Sequence, residues 1–170
     1  MKRTFYLITL IVLSIGQFTA AAESKKIIID CDPGIDDAMA ITLAMQYSSF
    51  EIVGITTVFG NASVEHTTKN ALDMVELSDK KIPVYKGAEK PLRIPLAAFP
   101  DFIHGKDGLG NSNQPDPKTL RQTKPAAKFI VDITKAYPGQ ITILAIGALT
   151  NVAEAIKLDS DVIKMSGKLF

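Results

Sequence analysis

Asp30, Asp32, Asp36 and Asp37 put four carboxylates into the eight residues Asp30-Cys31-Asp32-Pro33-Gly34-Ile35-Asp36-Asp37. Like charges this close raise one another's pKa unless a cation joins them. The donors on offer are oxygens, so the cation that suits them is a hard one, Ca²⁺ or Mg²⁺ rather than zinc. Asp in the first turn of a helix and Pro-Gly at a turn are ordinary choices. They account for Asp36 and in part for Asp37. They do not account for two acids at the end of an apolar strand, where unpaired charge is costly.

The elements around these acids follow from hydrophobic pattern. Lys26 to Cys31 reads as a strand buried on both faces, because Ile27, Ile28 and Ile29 are consecutive β-branched residues. Asp30 and Asp32, two apart, are expected on the same face of it. Pro33 and Gly34 break the strand, and Asp36 to Tyr47 reads as a helix with Ala38, Ile41, Ala44 and Met45 on one face. Strands are expected at Glu51–Phe59, Ile82–Tyr85 and Gln140–Ile146, and helices at Ala62–Ser78, Pro125–Tyr137 and Asn151–Leu158. Helix-linked, doubly apolar strands imply an α/β fold, a Rossmann-like, mostly parallel sheet with helices on both faces. The acids then lie at the carboxyl end of the first strand, where open α/β sheets bind ligands. In a doubly wound order the first and fourth strands are neighbours, which brings Gly147-Ala148-Leu149-Thr150-Asn151 to the same end. A backbone carbonyl near Thr150 can then reach the cation, although capping the last helix would explain Thr150 equally well. The long segment Gly87–Lys124 contains His104-Gly105-Lys106-Asp107-Gly108-Leu109-Gly110, a composition that suits a mobile loop over a site.

The chain has 170 residues, 46% hydrophobic and 22% charged, with a formal net charge of +1. That composition is globular. The charge balance gives no reason to expect nucleic acid or an anionic membrane surface. One cysteine excludes a disulfide scaffold and a cysteine-ligated zinc site. Its place in an apolar strand implies an inert, buried thiol. At the N-terminus, Lys2 and Arg3 precede the apolar stretch Phe5–Ile15 and the small residues Ala20-Ala21-Ala22. This is the order of a secretory signal peptide over residues 1–22, leaving a domain of residues 23–170 and a secreted or periplasmic location. The apolar stretch is short for a span of roughly 20 residues, so no stable membrane anchor is expected.

With these motifs in order, the chain from about Lys26 onward resembles the N-terminal half of an inosine–uridine-preferring nucleoside hydrolase. The eight-residue acidic motif carries the resemblance. Gly60-Asn61, His104-Gly105 with Gly108-Leu109-Gly110, and Gly147–Asn151 support it. The resemblance implies hydrolysis of the N-glycosidic bond of ribonucleosides to ribose and free base, with a bound Ca²⁺. Residue by residue, it implies that Asp32 and Asp37 bind calcium through carboxylates and Thr150 through its main-chain carbonyl. It makes Asp32 the general base on a calcium-bound water, and Asp36 a contact to the ribose hydroxyls or a support of the metal. Asn61 is expected on the ribose side, His104 near the leaving base, and Asp30 as a support behind the ligands. The partner is a small-molecule nucleoside, with a homo-oligomer open to the complete protein.

Family members run to about twice this length, so the fold is expected as a truncated nucleoside hydrolase fold. Ser166–Phe170 reads as the entry to a further strand. The fourth strand is accordingly expected as an exposed, aggregation-prone edge, and the isolated chain as a weak calcium binder nearly inactive on nucleosides. Two other readings compete. One is an inactive relative that binds calcium or ribose. The other is a haloacid-dehalogenase-like phosphohydrolase, which also places two Asp two apart after a buried strand but carries Thr or Val where this chain has Gly34.

Overall fold

The computed structural model describes residues 24–170. The signal peptide expected at residues 1–22 lies outside them. Five strands form one parallel sheet in the order β3-β2-β1-β4-β5: β1 Lys25–Cys31, β2 Phe50–Thr57, β3 Val84–Lys86, β4 Ile141–Ala145 and β5 Lys168–Leu169. Six helices connect them, α1 Ile35–Gln46, α2 Val64–Leu77, α3 Asp101–His104, α4 Ala126–Ala136, α5 Thr150–Leu158 and α6 Val162–Met165.

The sheet grows outward from β1 in both directions. Right-handed crossovers therefore put α1 and α2 on one face and α4, α5 and α6 on the other. Alternation along β1 divides the core accordingly. Ile27, Ile29 and Cys31 pack with Ile41 and Met45 of α1 and Leu72 and Val75 of α2. Ile28 points the other way, into Phe129 and Ile130 of α4 and Val152 of α5. Each such buried Ile contributes about 1.5–3 kcal/mol. Cys31 is fully buried, as its sequence context implies, and burial pushes its thiol pKa up.

The neighbour relation of β1 and β4 agrees with the doubly wound order, and it creates the switch point at which ligands bind in such sheets. The β1–β2 register carries an irregularity that no periodicity reveals. Ile27 pairs with Ile52 but Ile28 with Gly54, so Val53 is an extra residue in β2. The bulge brings Thr56 opposite Asp30, where an unbroken register would bring Ile55.

The expected exposed edge at the fourth strand is overturned. β5 pairs with Thr142 and Ile143, and the Phe170 carbonyl accepts the Ala145 N–H at 2.7 Å. The edge beyond β4 is thus covered along most of its length, and the outer position passes to the short β5. On the α1 side of this region, an apolar groove lined by Ile27, Phe50, Thr142, Leu144 and Phe170 contains none of the acidic residues.

Candidate active site

The site forms where β1, β2 and β4 end. β1 runs to Cys31, so Asp30 lies inside the strand and Asp32 immediately after it. Their carboxylates take separate partners. Asp30 is fully buried, and its Oδ1 accepts from Thr56 Oγ1 at 2.6 Å and Asn151 Nδ2 at 2.7 Å. Asp32 accepts the Asn61 N–H on Oδ2 at 2.7 Å.

Two glycines make room for Asp32. A Cβ on Gly60 would lie 1.9 Å from Asp32 Oδ2, and one on Gly147 would lie 2.7 Å from Oδ1. No other residue type fits at either position with the loops where they are.

Asp37 enters from the first turn of α1 and is buried beside Asp32, whose N–H donates to Asp37 Oδ2 at 3.1 Å. Burial lifts Asp32 from an ordinary 3.8 to about 6, against the pull of the Asn61 N–H. Burial lifts Asp37 further, to about 7, with the charges of Asp32 and Asp36 adding to the effect. Among the described residues, none of the side-chain ion pairs involves either acid. Two desolvated carboxylates with no cation beside them form the donor set of a hard divalent ion in kind. In number they fall short, for no group of three or more acid, His or Cys side chains converges among the described residues. Calcium usually takes 6–8 oxygens.

His104 ends α3 and is buried against the start of α1. Its Nδ1 accepts the Ile35 N–H at 3.3 Å, and Asp36 Oδ1 lies 3.9 Å from the same nitrogen. A ring nitrogen that accepts carries no proton, so the neutral ring is protonated on Nε2. The Asp36 side chain is otherwise exposed. Gly34 allows the cluster to close, since a Cβ there would meet both His104 Nδ1 and Asn61 Nδ2 at 2.7 Å. The Gly-rich loop thus reaches the site. It is also braced: the Asp107 carboxylate accepts N–H groups from Leu109, Asn111 and Asn113.

Asp32, Asp36, Asp37, Asn61 and His104 are therefore brought together. Thr150 opens α5, three residues after the Gly147 that abuts Asp32. It is the first helical residue rather than the cap, and no side-chain cap bond is made there. Two asparagines had no role in the sequence reading, although Asn151 stood in its Gly147–Asn151 motif. Asn70, on the buried side of α2, donates to the carbonyls of Pro33 and Asp107, both at 2.9 Å, and so joins the acidic turn to the His104 loop. Asn151 reaches Asp30. The available signal was a polar residue on the inward face of an otherwise apolar pattern.

The sequence and the fold are similar to those of nucleoside hydrolases. The profile of the inosine-uridine preferring nucleoside hydrolases matches residues 27–170. Uridine nucleosidase 1 of Arabidopsis thaliana is 48% identical over 139 residues, covering 81% of this chain and 41% of that protein. A pyrimidine-specific ribonucleoside hydrolase of Escherichia coli is 38% identical, covering 80% of this chain and 43% of its own length. Among solved structures, a plant nucleoside hydrolase superposes with a TM-score of 0.81 at 39% identity, covering 85% of this chain and 46% of that one. A purine-preferring ribonucleoside hydrolase from Gardnerella vaginalis gives 0.81 at 32%, covering 85% and 47%. The chain thus spans under half the length of these relatives. With the profile matched across nearly all the described residues and the parallel sheet shared, the chain belongs to the inosine-uridine preferring nucleoside hydrolase family.

Proposed function

We propose that this chain carries the acidic half of a ribonucleoside hydrolase site, which cleaves the N-glycosidic bond to give ribose and a free base. The observation that carries the reading is the buried Asp32–Asp37 pair at the carboxyl end of β1, flanked by Asn61 and His104. The names of the relatives run from uridine to pyrimidine to purine, so ribose is their common element and ribonucleosides are the substrate class proposed here. Family membership removes the ground for the phosphohydrolase reading.

Hydrolysis at an anomeric carbon passes through an oxocarbenium-like transition state. Water must arrive on one side of the sugar while the base leaves on the other. Asp32 suits the role of general base by position: it is a carboxylate at the end of β1, beside Asp37 and held in direction by the loop after β2. The Asn61 N–H holds its Oδ2, which fixes the direction from which it takes a proton. The negative charge of Asp32, Asp36 and Asp37 favours a sugar that is becoming positive. His104, with its proton on Nε2, is a donor for the departing base. Calcium, held by Asp32, Asp37 and the Thr150 carbonyl, would supply Lewis acidity and a grip on the ribose hydroxyls. The donor set among residues 24–170 is incomplete, so the proposal concerns the protein at its full family length. The order of residues 1–22 supports export of the chain.

The test compares release of free base from uridine and inosine with release from their 2′-deoxy analogues. Ribonucleosides should be cleaved far faster. Equal rates on the two sugars would sink the assignment of the acidic site to the ribose, and phosphate release from a monophosphate without base release would sink glycosidic cleavage altogether.

A further inference from the structure

Asp30 Oδ2 is a buried side-chain oxygen with no hydrogen-bond partner, while Oδ1 of the same carboxyl accepts two bonds. Such an imbalance is unfavourable, and a buried polar atom left without a partner calls for a reason. The two bonds accepted by Oδ1 fix the carboxyl from β2 and from α5.

We propose that Asn151 is a positioning residue of the site, whose side chain sets the start of α5 against the ends of β1 and β2 and so fixes both Asp32 and the Thr150 carbonyl. The proposal rests on the reading of this end of the sheet as the reacting site. Asn151 is fully buried. Its Nδ2 donates to Asp30 Oδ1 at 2.7 Å and to the Thr57 carbonyl at 2.9 Å. Its Oδ1 accepts the Ala88 N–H at 2.8 Å, from the loop that follows β3. One amide thereby joins four separate segments, with both of its protons and its oxygen engaged.

The surroundings are shaped to it. A Cβ on Gly87 would lie 2.1 Å from Asn151 Oδ1 and 2.4 Å from the Thr57 carbonyl, so the loop reaches Asn151 only because residue 87 has no side chain. Asp30 is held to the same segment a second time, by its main chain: its carbonyl accepts the N–H groups of Ile146 at 2.8 Å and Gly147 at 3.2 Å. Gly147 in turn abuts Asp32 Oδ1. Asp32 is two residues from Asp30, and Thr150 is adjacent to Asn151, so the Asp30–Asn151 bond spans the gap between the proposed ligands. If cohesion were all that mattered, a well-packed apolar pair would serve as well or better than a buried polar pair. A polar pair that sets one distance and one rotation serves geometry instead.

The test uses Asn151→Leu and Asn151→Asp in the full chain. Calcium is titrated by calorimetry, the melting temperature is read without metal, and amide exchange is followed at Ala88 and Asn61. Asn61 donates to Asp32 and has no bond to Asn151, so its amide reports the site rather than the deleted contact. Asn151→Leu should keep a cooperative melt, lose about tenfold or more in calcium affinity, and speed exchange at both amides. Asn151→Asp, whose Oδ1 can keep the Ala88 N–H but which no longer donates to Asp30 and the Thr57 carbonyl, should lose calcium affinity and speed exchange at Asn61. Unchanged calcium affinity together with faster exchange at Ala88 alone in Asn151→Leu would overturn the proposal, as would parent-like exchange at Asn61 in Asn151→Asp. If the parent chain, with its incomplete donor set, takes up too little calcium to titrate, the calcium arm drops out. Asn61 exchange then decides alone: faster in Asn151→Leu supports the positioning role, and unchanged overturns it.

Discussion

Asp32 and Asn61, twenty-nine residues apart in sequence, are joined by a 2.7 Å hydrogen bond from the Asn61 N–H to Asp32 Oδ2. The bond exists because Gly60 passes so close that a Cβ would lie 1.9 Å from the same oxygen. The orientation of the proposed base is therefore set by the backbone of the β2–α2 loop.

Gly60→Ala should displace Asp32 while leaving the sheet intact. A misplacement on the order of 1 Å costs about a hundredfold in rate. Base release by the complete enzyme should fall by about that factor, with the melting temperature changed by only a few degrees. Wild-type turnover in this variant would show that the close approach does not constrain the carboxylate.

Asp32→Asn and Asp37→Asn should move stability and metal binding in opposite directions. Each removes one of two buried like charges, so the metal-free chain should melt higher. Each also removes a proposed ligand, so calcium affinity should fall by more than the roughly 10–100-fold typical of partners behind a ligand. Calorimetry and thermal melts on the same samples check both. A variant that melts lower and binds calcium as the parent does would refute the role given to that acid.

The pH dependence of the metal-free chain follows from three raised carboxyls. Asp30 and Asp32 stand at about 6 and Asp37 at about 7, against an ordinary 3.8, chiefly through burial. A carboxyl whose folded pKa is raised binds its proton more tightly in the folded state. Its contribution is complete below the unfolded value and is lost as pH rises through the folded one. In the presence of a chelator, the melting temperature should therefore fall between about pH 4.5 and pH 7.5. Calcium in excess should offset the fall at the upper end, since it favours the ionised acids. A melting temperature that climbs across this window without metal would contradict the burial of these groups.

His104→Ala removes the acceptor of the Ile35 N–H and the proposed donor to the base. The lost bond should cost about 1 kcal/mol of stability. The lost donor should slow cleavage of ribonucleosides by about 10²-fold or more. A nitrophenyl riboside, whose leaving group departs without a proton, should be far less affected. Equal slowing of both substrates would assign His104 to binding rather than to leaving-group protonation.

Much of the fold was legible because its signals are local. The run Ile27-Ile28-Ile29, the Pro33-Gly34 break and the period of α1 each follow from neighbours a few residues apart. So does the placement of the acids at the end of β1, and through them the family. Export rests on residues 1–22 alone, outside the described part of the chain. The free edge expected at β4 failed because Ser166–Phe170, read as the entry to a strand, already pairs with β4 through its two strand residues.

Tertiary structure alone decided how the acids are partnered. The Val53 bulge turns Thr56 toward Asp30, Gly60 brings the Asn61 amide to Asp32, and Asn151 closes on Asp30 from 121 residues away. None of these is visible in periodicity or composition. A pattern records which face a residue presents, whereas the register of two strands and the closest approach of two loops are set by packing the whole sheet between its helices. The amino-acid sequence by itself determined that carboxylates would gather at one end of a parallel sheet. Which oxygen accepts which N–H was decided only by how the chain packs.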